Sequence, residues 1–587
     1  MHGQRLTHGL EPVSVRNLEL RRSPGTLGGA VARTLEEGLR FRVTAGPLEL
    51  AVELWRREDA ALLEAQLAVA RLCLCIGDHA ESVSRQTDGL LANAVVFDVD
   101  LRSGVTDVLT SIVGLPPVFS ATTDRCAVIS SPCHPDVPRT PDFEAVADVL
   151  RYGHPLFGRT LNAAVRLLPA GATLRLDESG RLIVTASSGV PGAEAAEFSH
   201  DDRIEAQIQA LDKAAQRLPA DSAVVSLSGG LDSRVALMSQ LAQGRRPLCA
   251  TMAASPANLD ARLASAFCRA YGLEHLIVDL GEDFQRSLPD LVLTASRLSG
   301  GVSCLSQAID VHFHRSLPTG ARCRITGNLG NQVGRGGVES ISVGHPDARV
   351  LGSVLAETLK SRSLDPWYIA RMIGSGYGNV LFREEVAFWS VANYQVGSSF
   401  MPQLSPYADV NQVQLATRWL NASAEFENPT ADFLRKRDIR HRTQGTPLAG
   451  SFQRRYLVRN DQRASRVPVN WGWLAEGGWS PRWVMAAGMT AADAALIKFG
   501  NKIPSLRRSA LWLSSRLGRP SALVSWPAAF KGPLRDLVRD TFASRRLRES
   551  GLVEPSAFAG MVDDHFAGRR DAFGSLARLF EVAQSLR

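Results

Sequence analysis

The chain runs to 587 residues without an apolar stretch approaching 18 residues, so the usual sequence signal for a membrane span is absent. Its first residues, Met-His-Gly-Gln-Arg-Leu-Thr-His, carry no apolar segment of the kind a secretory signal needs, and a cytoplasmic protein is expected. No internal repeat or low-complexity tract stands out. The eight cysteines (73, 75, 126, 133, 249, 268, 304 and 323) make neither a C-x-x-C pair nor a zinc-finger spacing. Cys73 and Cys75 sit in an apolar run and read as core, and reduced buried thiols fit the same compartment. Lysine is scarce, with six in all: Lys213, Lys360, Lys436, Lys498, Lys502 and Lys531.

What is present is the composition of an ordinary globular protein, 45% hydrophobic and 21% charged, at a length that exceeds one hydrophobic core. Two or three domains are expected. The formal charge of +7 is spread along the chain, with one dense cluster at Arg435, Lys436, Arg437, Arg440 and Arg442. That cluster reads as a solvated face or as a surface for a polyanion.

The most informative stretch is Ala223-Val-Val-Ser-Leu-Ser-Gly-Gly-Leu-Asp-Ser-Arg234. Ala223 to Leu227 reads as a buried strand, Ser228-Gly229-Gly230 as a tight turn, and Val235-Ala-Leu-Met238 as the start of a helical pattern. A strand that feeds a glycine turn into a helix N-terminus aims backbone N–H groups and a positive dipole end at one point, which suits phosphate. Ser228 and Ser233 add hydroxyl donors, and Asp232 can hold a metal ion against the phosphates. No lysine follows, so this is not the G-x-x-x-x-G-K-[ST] loop.

Around this loop the texture changes along the chain. The first third shows short apolar segments between turn formers, such as 94–97 and 126–129, then a helix from Asp142 to Arg151 and strands near 165–168 and after Pro169. A glycine-, alanine- and glutamate-rich segment, 189–199, reads as a linker. From Asp202 helices and strands alternate: helix 204–216, the loop strand, helix to 243, strand 247–252, helix 259–271, strand 276–279. That alternation predicts a parallel, doubly wound sheet with its ligand beyond the carboxyl ends of the strands. After about 350 the chain reads mostly helical.

Five segments in order resemble the asparagine synthetase family, whose ATP pyrophosphatase (PP-loop) domain it shares with the β-lactam synthetases and lasso-peptide cyclases. They are Ser228–Ser233; Thr251 to Ala261 with Gly272-Leu-Glu-His275; Ile325 to Gly337; Met401 to Asp409; and Lys531 to Asp536. The resemblance covers about residues 200 to 540. It implies an α/β protein in two parts: a degenerate Ntn-type, glutamine amidotransferase-like sandwich over 1–200, and a synthetase domain over 201–587 with a parallel sheet and a helical C-terminal part. It further implies ATP and Mg2+ as cofactors. The nucleotide would lie on Leu227, Ser228, Gly229, Gly230, Leu231, Asp232 and Ser233, with Met252, Thr326 and Gly327 around it.

The departures from the family matter as much. A glutaminase cysteine would stand directly after the initiator methionine, where the α-amino group acts as base; here that residue is His2. An amine supplied by a substrate is therefore expected in place of ammonia from glutamine. The family's second loop ends in an Asp-Glu pair, replaced here by Asn331-Gln332, which keeps oxygen ligands and loses charge. Asp232 and Asn331 are the expected metal ligands, and Arg234 and Arg335 the candidates to neutralise pyrophosphate. The lysine that the family places before its Gly-Pro-Leu-Arg-Asp segment is missing, with Lys502, Lys498 or Arg519 as stand-ins.

The resulting expectation is an ATP-dependent amide-bond-forming enzyme with Asp232, Arg234 and Lys502 as catalytic residues. Its substrates would be a small-molecule or peptide carboxylate and an amine, in natural-product or lasso-type peptide biosynthesis. A leader-peptide-binding or carrier protein is among the partners this implies, while neither membrane nor nucleic acid is. The alternatives are a glutamine- or ammonia-dependent asparagine synthetase-like enzyme and a nucleotide-binding pseudoenzyme. Trp367, Tyr368, Trp389 and Tyr394 are candidates for core packing or for an acceptor pocket.

Overall fold

Two sheets organise the computed structural model, whose described residues are 13–22, 30–36, 40–45, 48–54, 59–68, 70–77, 94–122, 127–131, 134–135, 137–186, 199–219, 222–256, 258–335, 346–361, 377–422, 451–469, 474–476 and 524–586. The first sheet has twelve strands: β1 (Val13–Arg22), β2 (Ala30–Glu36), β3 (Arg40–Ala45), β4 (Leu48–Leu54), β5 (Arg71–Gly77), β6 (Ala94–Asp100), β7 (Thr106–Leu109), β8 (Phe119–Thr122), β9 (Ala127–Ser131), β10 (Val165–Leu167), β11 (Ala172–Leu176) and β12 (Leu182–Ala186). Strand β1 joins its two halves. Val13 and Ser14 run parallel to β5, and the rest of the strand runs antiparallel to β4 and β9.

Period-two alternation decides which residues face the core. In β4, Leu48, Leu50, Val52 and Leu54 are buried and the residues between them are partly exposed. They share one cluster with Leu18 and Leu20 of β1, Leu72, Leu74 and Ile76 of β5 and Phe97 of β6, so both halves of the sheet close on a single core. Cys73 and Cys75 point to the opposite face, beside Val96 and Leu109, and are fully buried. The core reading of these two thiols holds.

The helix expected from Asp142 forms over Phe143–Tyr152 (α2, following α1 at Asp59–Ala68). The Asp142 carboxylate accepts from the N–H groups of Glu144 and Ala145, and Gly153 ends the helix at φ 91°, a left-handed position that glycine takes at little cost. Of the linker segment, Ser199 caps the next helix and 189–198 lie outside the described residues.

The second sheet is parallel throughout. Helix α3 (His200–Arg217) leads into β13 (Ala223–Ser226), α4 (Leu231–Ala242), β14 (Leu248–Ala253), α5 (Leu259–Tyr271), β15 (His275–Asp279), α6 (Glu282–Ser299), α7 (Cys304–Ser316) and β16 (Cys323–Ile325). Strand β17 (Gln403–Leu404) completes the order β15-β14-β13-β16-β17. In order of appearance that is 3-2-1-4-5, so the chain changes sides between β13 and β16. The crevice of such a sheet opens beyond the carboxyl ends of those two strands.

The chain is therefore α/β with one mixed, mainly antiparallel sheet and one parallel sheet. Beyond 350 the elements among the described residues are helices apart from β17 and an isolated bridge between Leu351 and Val553. The last helix, Phe573–Ser585, packs on both α2 and α6, and Arg139 donates to the Ser585 carbonyl at 2.8 Å, which ties the two sheets' units together.

Candidate functional site

Strand β13 ends in the middle of its sheet, and the N–H of Leu227 still donates to Ala250 O at 2.9 Å before the chain turns. Ser228-Gly229-Gly230 makes the turn, and α4 begins at Leu231 with Gly230 as N-cap and no side-chain cap. Nearly every residue of α4 from Leu231 to Gln240 is buried, which explains its apolar sequence. Asp232 alone in that stretch is partly exposed, on the first turn.

Internal acceptors hold the turn in shape. The Ser228 N–H donates to Ser233 Oγ at 3.0 Å and the two serine hydroxyls are 3.0 Å apart. The Gly230 N–H donates to Ser228 Oγ at 3.2 Å, and the Gly229 N–H donates to Asp260 Oδ1 at 3.0 Å. Asp260 lies in the first turn of α5, whose N-cap Asn258 accepts from the Asp260 N–H. Burial pushes the Asp260 carboxyl above the usual carboxylate range, against the Gly229 N–H and the Arg234 guanidinium.

A second loop follows β16. Thr326 is buried and its N–H donates to Leu404 O at 2.9 Å, continuing the sheet toward β17. A Cβ on Gly327 would lie 2.6 Å from the Ser233 nitrogen, and a Cβ on Gly330 would lie 2.7 Å from Asp232 Cβ and Cγ. Glycine is needed at these two positions because the loops press together. Asn331 and the buried Gln332 follow on the short helix Gly330–Arg335 (α8), whose first residue lies against the Asp232 carboxylate.

Two further segments close on the same point. Ser405 Oγ donates to Asn328 O at 2.6 Å, and the Tyr407 hydroxyl donates to Asp232 O at 3.2 Å. From the helix Ser451–Asn460, the Gln453 amide nitrogen donates to Asp232 Oδ1 and to Gly330 O, both at 2.9 Å. The first, third and fourth of the family-like segments therefore meet, and the second contributes Asp260. Gln453 carried no sequence signal, because a lone glutamine on an arginine-rich helix has no motif.

Several expectations change. Arg234 does not face the loop's ligand side: its guanidinium is fully buried, donating to the carbonyls of Val467 and Pro468 at 2.6 Å, with Phe267 beneath it. Burial pulls it down to about 10, so it stays charged at neutral pH but is committed to the core. The fifth segment packs in the C-terminal helices, with Leu534 in one core cluster with Val538, Phe542 and Phe580, and makes no described contact with the loops. Met252 is half-buried at the carboxyl end of β14, while Leu227 and Leu231 are buried beneath the turn. Tyr394 is core. Lys502, Lys498, Arg519, Trp367, Tyr368 and the basic cluster 435–442 lie outside the described residues, as do the Trp389 and Arg335 side chains.

Among the described residues no three His, Cys, Asp or Glu side chains converge as a metal-binding group. A magnesium ion needs only one or two carboxylates when phosphate oxygens and water complete its shell, and the partly exposed Asp232 carboxylate fits that partial set. No protein-family model matches the chain, and no curated protein does.

Proposed function

We propose that this chain is an ATP-dependent carbon–nitrogen ligase of asparagine synthetase-like type, which adenylates a substrate carboxylate, releases pyrophosphate and passes the acyl group to a substrate amine. On this reading the parallel-sheet unit is a PP-loop pyrophosphatase domain, and the twelve-stranded unit is a degenerate glutaminase-type sandwich. The observation that carries it is the seating of Gly327 and Gly330 on Ser233 and Asp232, at the strand-order switch between β13 and β16. A free-standing glycine turn has no reason to press a second glycine loop onto its one acidic residue.

The roles follow from the residues. Ser228 and Ser233 present hydroxyls that can turn from their mutual hydrogen bond to donate to phosphate oxygens. The N-terminal N–H groups of α4 lack a capping side chain at Gly230 and face the same anion. Asp232, held by Gln453, would orient the magnesium that shields the phosphates during displacement. Rate acceleration would come from positioning and fixed dipoles.

The test is pyrophosphate exchange into ATP across a pool of amino acids, short peptides and small acids, with Asp232→Ala as control. Exchange that depends on one acid and is lost in the variant supports the reading. Measurable ATP binding without exchange for any acid favours a second reading, a nucleotide-binding pseudoenzyme. That second reading draws on the neutral Asn331-Gln332 pair and on the occupied loop amides.

A further inference from the structure

The N–H that a bound phosphate would most need, Gly229 at the centre of the turn, is held by a carboxylate. The neighbouring amides are held by Ser228 and Ser233 hydroxyls, which can reverse and become donors. A carboxylate is acceptor-only, so a phosphate oxygen approaching Gly229 meets a like charge within hydrogen-bond reach of the same N–H. Asp232 adds a second acidic group on the same turn. The second loop brings neutral amides, Asn331 and Gln332, and the guanidinium of Arg234 is spent on main-chain carbonyls. Arg234 offsets Asp260 from the core side, so positive charge on the open side of the turn can be supplied by a cation that arrives with the ligand. No three-residue metal group is found among the described residues, and a divalent cation held by Asp232 would share its shell with that ligand.

We propose that Asp260 sets the ligand specificity of the loop: it admits a polyphosphate complexed with a divalent cation and rejects the free anion. The inference rests on the pyrophosphate-loop reading above. Asp260 is a positioning and charge-selecting residue: its carboxylate holds the Gly229 N–H, and a divalent cation bound with the phosphate would offset its charge and that of Asp232.

The experiment is calorimetric titration of the full chain with inorganic pyrophosphate, once in magnesium and once in EDTA, for wild type, Asp260→Asn and Asp260→Ala. Thermal melts confirm that each variant is folded. Asp260→Asn keeps a carbonyl acceptor for the Gly229 N–H while removing the charge, so it remains informative if the alanine variant fails to fold. Wild type should bind at least about tenfold more tightly with magnesium. Asp260→Asn should narrow that ratio by about tenfold (~1.4 kcal/mol), mainly by tighter metal-free binding. An unchanged ratio, or equal weakening in both conditions, overturns the proposal and makes Asp260 a brace for the turn. Binding by none of the three proteins in either condition overturns the loop reading itself. An unchanged ratio alongside normal pyrophosphate exchange removes the Asp260 inference alone.

Discussion

Adding one methyl group at Gly330 should be among the most damaging small changes in this protein. An alanine Cβ there would lie 2.7 Å from Asp232 Cβ and Cγ and 2.8 Å from Asp232 Oδ1. Carbon atoms pack at about 3.5–4.0 Å, so the overlap is roughly 1 Å and falls on the side chain proposed to hold magnesium. Asp232 has little room to yield, because Gln453 holds its carboxylate and Tyr407 holds its carbonyl. Overpacking of this kind costs roughly 1–3 kcal/mol, and a displacement near 1 Å at a reacting centre costs on the order of 100-fold in rate. Gly230→Ala is the control: its Cβ would meet only Ser228 Oγ, at 3.4 Å, and its φ of −79° suits any residue. Thermal melts and magnesium pyrophosphate titrations should show Gly330→Ala destabilised and at least about tenfold weaker in binding, with Gly230→Ala close to wild type in stability. Wild-type stability and affinity in Gly330→Ala would refute the argument, as would an equal loss of stability in Gly230→Ala.

Gln453→Leu should destabilise by about 2–4 kcal/mol, since it strips one hydrogen bond from a carboxylate and one from the Gly330 carbonyl in a buried setting. Chemical denaturation measures this, and a neutral result would mean that Asp232 is held by its other partners. Glu581 is pushed up to about 7 by burial, against the Leu305 N–H and Arg578. Its folded state keeps a proton that the unfolded chain loses above about 4.5, so stability should fall by up to roughly 3 kcal/mol between pH 4.5 and 7, and Glu581→Gln should remove that slope. His134 and His154 act in the opposite sense. Burial lowers both to about 4, so their neutral folded forms lose stability as pH drops below about 6.5. With His275, His314 and His565 lowered by burial as well, the histidines outweigh the one glutamate in the shared window, and thermal melts should place maximum stability near pH 6.5–7, moving to higher pH in Glu581→Gln.

The glycine turn was legible because its signal is local. Ala223 to Met238 encodes strand, turn and helix within sixteen consecutive positions, and each residue's role depends on its near neighbours. Helix α5 begins and ends where its Asn258 cap and Gly272 stop dictate, and α2 begins at its Asp142 cap, for the same reason. Strands β1 to β5 were not individually legible, because β1 serves two half-sheets and its partners lie tens of residues away. Arg234 misled because a charged residue one step past a phosphate-type loop invites a role there. In fact α4 is buried from Ser233 to Gln240, and the long side chain of Arg234 reaches carbonyls more than 230 positions away.

By itself the sequence determined the elements around residue 230 and the parallel α/β texture after Asp202, because hydrophobic period, caps and turns are properties of short windows. Tertiary structure alone decided which distant groups hold Asp232 and Gly229. Gln453 comes from 221 residues beyond Asp232 and Asp260 from 31 beyond Gly229, and such meetings follow from strand order and helix packing, which no local pattern encodes.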